Sequence, residues 1–173
     1  MPQLRKLIAT EDTDGVVERY HTMKKRDREM LCTMLNDAPS SFVESVISHP
    51  MIDDTEWGSF IYAKHPLLAA QYFFQKEKDY REKEIFLNML RNIGSMEAVD
   101  VALTTWCQSP SHPNQRDLFE LISDDLINEK FGMAETMLKH CHKPNDPFLL
   151  YKVCQLHTNN KDRMKNALEF LVS

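Results

Sequence analysis

The stretch HPLLAAQYFFQKEKDYREKEIFLNMLRNIG, residues 65–94, decides the fold. Leu67, Ala70, Phe73 and Phe74 recur at three-to-four spacing, and Tyr80 through Leu90 resume the same pattern. That period places apolar groups on one face of a helix. Pro66 suits a first helical turn, where its missing N–H costs nothing. The stretch reads either as one helix of roughly 27 residues or as two with a break near Asp79. Its charges are of both signs and read as a solvated face with intrahelical ion pairs. Nothing in it is suited to attack, protonate or bind a metal.

The rest of the chain agrees. It has 173 residues with only 4 glycines, too few for the turns of a β-sandwich or barrel. A nucleotide-binding α/β fold would need a glycine-rich loop, and there is none. Leu, Met, Lys, Glu and Ala, the helix formers, are plentiful. The expected class is all-α. Apolar spacing predicts about ten or eleven helices. Asp12 or Thr13 is a plausible N-cap for a helix presenting Val16, Val17, Tyr20 and Met23. Met30, Leu31, Met34 and Leu35 mark the next. Ser40 or Ser41 is expected to cap a short helix carrying Phe42, Val43, Val46 and Ile47, and Pro50 to stop it. SMEAVDVALTTWCQ is amphipathic, and SPSHPNQ (109–115) is the clearest loop. RDLFELISDDLINE, MAETMLKHC, DPFLLYKVCQLHT and RMKNALEFL complete the series.

Short helices of this kind stack as antiparallel pairs into an α-solenoid. Residues 1–173 read as a single solenoid domain. Pair starts fall unevenly, about 26 to 35 residues apart, with no tetratricopeptide, ankyrin or Pumilio consensus. The chain begins and stops inside helix-like sequence, which fits a piece of a longer solenoid.

The net charge of -5 disfavours a phosphate-tracking surface. No apolar run approaches a membrane span, and the N-terminus lacks the apolar core of a signal peptide. The 4 cysteines lie singly, as reduced thiols of a cytosolic protein would.

Three groups of residues invite a chemical reading. His140, Cys141, His142, Cys154 and His157 are zinc-ligand types, but Cys141 is in phase with Met137 and Leu138, and the spacing is no standard zinc pattern. The pairs Asp53/Asp54 and Asp124/Asp125 read as acids at helix starts and on solvated faces rather than as catalytic groups. Trp57, Phe60, Tyr72, Phe73 and Phe74 could stack on bases, yet aromatics at helical spacing are usually core. No nucleophile motif is present. The expectation is a non-enzymatic protein with no cofactor and no metal site. The 10 methionines suit core filling or an adaptable binding surface.

Five blocks carry a resemblance: ATEDTDGVVERYHTMKK, LNDAPSSFVESVI, LLAAQYFFQKEKDYREKEIFLNMLRN, DLFELISDDLINEKFGMAETML and HKPNDPFLLYKVCQL. In this order they resemble the C-terminal helical region of the vacuolar protein sorting-associated protein 16 family. The last block resembles a basic-x-Pro-Asp turn entering an aromatic helix, carried by Lys143, Pro144, Asn145 and Asp146. Asn145 and Pro147 depart from that pattern, and SPSHPNQ has no counterpart.

The resemblance implies an α-solenoid subunit of the HOPS or CORVET tethering complexes, or of the complex built on the family's second branch. Its implied partners are a Sec1/Munc-type protein of the vacuolar protein sorting-associated protein 33 family and other tethering subunits. Its implied place is the cytoplasm, peripheral on late endosome, lysosome or vacuole membranes through those partners alone. The residues then expected at the protein-binding face are Ala69, Ala70, Phe73 and Phe74 in the opening stretch, with Met133, Met137 and Lys139 further on. The rival reading, from a different class, is an RNA-binding helical repeat of pentatricopeptide or Pumilio type, for which NIGSMEAVDVAL supplies a glycine before an amphipathic helix.

Overall fold

The computed structural model describes residues 2–52, 61–72, 80–108, 114–156 and 160–173. All regular structure among them is α-helical. The helices are α1 (Pro2–Ala9), α2 (Thr13–Thr22), α3 (Lys25–Leu35), α4 (Ser40–Ile47), α5 (Pro66–Tyr72), α6 (Tyr80–Asn92), α7 (Met96–Cys107), α8 (Gln115–Ile127), α9 (Phe131–Leu138), α10 (Pro147–Leu156) and α11 (Lys161–Val172). The all-α expectation holds. The chain divides into two compact units, Met1–Ala98 and Val99–Ser173, with the boundary inside α7.

In the first unit α1 packs on α2 and α3, α2 on α4, and α4 on α5. The apolar stripes legible in the sequence form its core: Val16, Val17 and Tyr20 from α2, Leu31 and Leu35 from α3, and Phe42, Val43, Val46 and Ile47 from α4 are buried. Met23, Met30 and Met34 are only half-buried. Asp12 caps α2 as expected, accepting the Gly15 amide at 2.9 Å. Gly15 is needed there, because an added Cβ would stand 2.6 Å from the Asp12 carboxylate and 2.8 Å from Leu7 Cδ2.

Neither serine caps α4. Pro39 holds the N-cap position and no side chain bonds the free amides. The Ser40 hydroxyl is turned instead to His65 Nδ1, 3.1 Å away. The opposite ring nitrogen of His65 lies 3.2 Å from the Asn36 carbonyl. A buried imidazole with both nitrogens bonded carries little desolvation penalty.

In the second unit α8 is the hub. Asn114 caps it, accepting the Arg116 amide at 3.1 Å, and α9, α10 and α11 all pack against it. Of the expected loop SPSHPNQ, residues 109–113 lie outside the described residues, while Asn114 is the cap and Gln115 begins the helix. Phe119 and Phe148 join α8 to α10 with ring centroids 6.4 Å apart, and Phe131 and Phe170 join α9 to α11 at 5.2 Å. Arg163 of α11 donates to the Ile127 carbonyl at 3.3 Å.

Helices α1 and α8 end alike. Glu11 and Glu129 take positive φ, 52° and 59°. The following amides, of Asp12 and Lys130, reach back to the carbonyls of Leu7 (2.9 Å) and Asp125 (2.8 Å). These are Schellman closures, with glutamate where glycine is usual.

Candidate interaction surface

The residues expected at a binding face separate sharply by exposure. Ala69 and Ala70 on α5 are both fully buried, and Met137 on α9 is nearly so. A small side chain lets neighbouring elements approach closely, and these alanines lie on α5, which packs on α4. Phe73 and Phe74 lie outside the described residues, as do Trp57, Phe60, Asp53, Asp54 and His157. Met133 is half-buried, and Lys139 is exposed at the C-cap of α9, where its amide donates to the carbonyls of Glu135 and Met137. That helix ends at Leu138, so Lys139, His140 and Cys141 belong to the turn beyond it.

The zinc-type residues among those described do not converge. His140 Nε2 pairs with Asp100 of α7 at 2.8 Å, His142 is exposed, and Cys154 is exposed on α10. Among the described residues no group of three or more His, Cys, Asp or Glu side chains is arranged to hold a metal. Burial pushes the Cys141 thiol up to about 11, with Cys107 nearby adding to the effect, and burial raises Cys107 as well. Both are protonated thiols at neutral pH, the less reactive form.

Of the second acidic pair, Asp125 departs from the expected solvated face. It is 8% exposed, because α8 is covered by three helices and leaves little side for water. Its Oδ2 is buried without a hydrogen-bond partner. Desolvation pushes its carboxyl up to about 6, against the opposing charge of Lys130, while Asp124 adds to the rise. In the first unit the Tyr72 hydroxyl donates to Glu44 at 2.9 Å, and that bond, with desolvation and the carboxylate charge, raises its pKa.

Two concavities among the described residues share one turn. Residues 143–147 line a hollow of about 420 Å³, and on the same turn α10 and α11 frame a deeper cavity of about 210 Å³. Sequence reasoning singled out this Lys-Pro-Asn-Asp turn. It did not connect it with Leu171 and Val172 at the far end of the chain, because no local pattern links α11 to a turn about two dozen residues earlier.

Comparison with protein-family models, with curated proteins and with solved structures returns no match. No helix among the described residues is long and apolar enough to cross a membrane.

Proposed function

We infer that this chain is a non-enzymatic α-solenoid scaffold that binds a Sec1/Munc-type protein in endosomal, lysosomal or vacuolar vesicle tethering. The observation that carries the scaffold reading is the packing order. Helices meet their neighbour and their next neighbour: α1 with α2 and α3, α2 with α4, α8 with α9 and α10. Stacked helical hairpins produce that pattern, since each hairpin touches only those beside it. The contact of α8 with α11 is a local departure from it.

The tethering role and the partner rest on the order of the five sequence blocks. Lys139, with half-buried Met133 a turn and a half before it, is the accessible part of the expected face. Ala69 and Ala70 in the first unit, and Met137 in the second, are buried. An acidic chain, with no recurring polar code at its helix starts, makes the RNA-binding alternative the weaker reading.

Affinity capture from cells followed by mass spectrometry tests the function. The expected product is a Sec1/Munc-type protein with other tethering subunits. Recovery of RNA in their place would replace this reading with the RNA-binding one.

A further inference from the structure

The turn between α9 and α10 is held in shape. Gln115, at the start of α8, donates from Nε2 to the Lys143 carbonyl at 3.3 Å and accepts the Lys143 amide on Oε1 at 3.2 Å. The Asp146 amide returns to the same carbonyl at 3.2 Å. Asp146 Oδ1 accepts the Phe148 amide at 2.9 Å, and Pro144 and Pro147 fix φ on either side. A concavity built on such a turn exists before anything binds it, which lowers the ordering cost of binding.

The deeper cavity beside this turn has an apolar floor of Leu149, Leu150 and Leu171, with Val172, 76% exposed, on its rim. Its 210 Å³ is below the about 300–1,000 Å³ typical of small-molecule pockets. The space suits a single large side chain. Asp146 is the one charged residue on its lining. Only one of its oxygens is used in the cap bond to Phe148, and a carboxylate accepts several hydrogen bonds.

We propose that this groove docks a short segment of a partner protein in which one large apolar side chain is followed closely by lysine or arginine. The apolar group fills the cavity and supplies the anchor. The cation reaches Asp146 and makes a charge-assisted bond that sets orientation. The proposal deepens the scaffold reading and rests on it.

The test selects a displayed library of random peptides, about twelve residues long, against the full chain, and titrates the enriched peptides by fluorescence anisotropy. The enriched peptides are expected to share an apolar residue with a basic one within a helical turn. Val172→Asp is expected to weaken them about tenfold or more. Asp146→Asn keeps an N-cap acceptor and helix content, and is expected to weaken them about fivefold. Their Arg→Gln versions should not feel Asp146→Asn.

Four outcomes overturn the groove: no enrichment, enrichment without basic residues, binding that survives Val172→Asp, or self-association of the chain abolished by Val172→Asp, which would make a second copy the occupant. The cellular capture, repeated with Val172→Asp, separates the two claims. A groove overturned while the Sec1/Munc-type protein is still captured leaves the scaffold reading standing. Failure of the unmodified chain to capture it removes that reading.

Discussion

The two units answer the same problem, a buried ionisable side chain among short helices, in opposite ways. In the first unit His65 is 8% exposed, and both of its ring nitrogens have partners, Ser40 and the Asn36 carbonyl. It ties the turn after α3, the start of α4 and the start of α5 together. In the second unit Asp125 is equally buried, yet one of its oxygens has no partner. A satisfied buried polar group strengthens a fold, and an unsatisfied one weakens it by about 1–3 kcal/mol. The packing differs in parallel. The first unit is joined helix by helix, whereas the second converges on α8. A hub concentrates stability in one element, and it also removes the water that would solvate a carboxylate there.

Loss of a hub side chain should have the largest effect. Phe119 is 1% exposed and stacks on Phe148. Phe119→Ala is expected to cost about 3–5 kcal/mol. The damage should be confined to the second unit, as hydrogen exchange of α8–α11 against α1–α4 would reveal. Equal loss of protection in both units would break the comparison. Next comes His65→Ala, which should cost about 2 kcal/mol and raise exchange around α3, α4 and α5.

Asp125→Asn should act in the other direction. The folded chain holds the Asp125 proton up to about pH 6, whereas the ordinary value is 3.8. Between those values the folded state binds more protons than the unfolded, so raising pH through this window removes stability. At pH 7 the substitution is expected to stabilise by about 1–2 kcal/mol and to flatten the pH dependence between 4 and 6. Denaturant titrations of both chains at several pH values check it. A variant less stable at pH 7 would mean that the carboxylate has a favourable partner. Smallest is Glu129→Gly, which relieves a left-handed φ of 59° and should add about 0.5–1 kcal/mol, visible as a small rise in Tm.

The helices and most of the core were legible because amphipathic period is a local property. Every buried residue of α2 and α4 stands on the stripe that the sequence displays. The features that depend on distant partners were not. Ser40 stands where a capping serine belongs, but His65, 25 residues away, takes its hydroxyl. Asp124 and Asp125 look alike as a pair, although the period puts Asp125 in phase with Leu118, Leu121 and Ile122, the stripe of α8 that the arrangement of α9–α11 buries. The turns closed by Glu11 and Glu129 escape a search for glycine, since the backbone bonds, rather than the residue, define them. Of the expected binding residues, the methionines and alanines at helical spacing carry one signal for both core and contact surface. Exposure tells them apart, with Lys139 outside and Ala69, Ala70 and Met137 within.

The most direct test of the scaffold claim is binding between the purified chain and a purified Sec1/Munc-type protein of the vacuolar protein sorting-associated protein 33 family, followed by calorimetry. The account predicts a saturable one-to-one complex that Lys139→Glu weakens while leaving the Tm of the free chain unchanged. Absence of any complex, together with tight binding of single-stranded RNA at physiological salt, would contradict it.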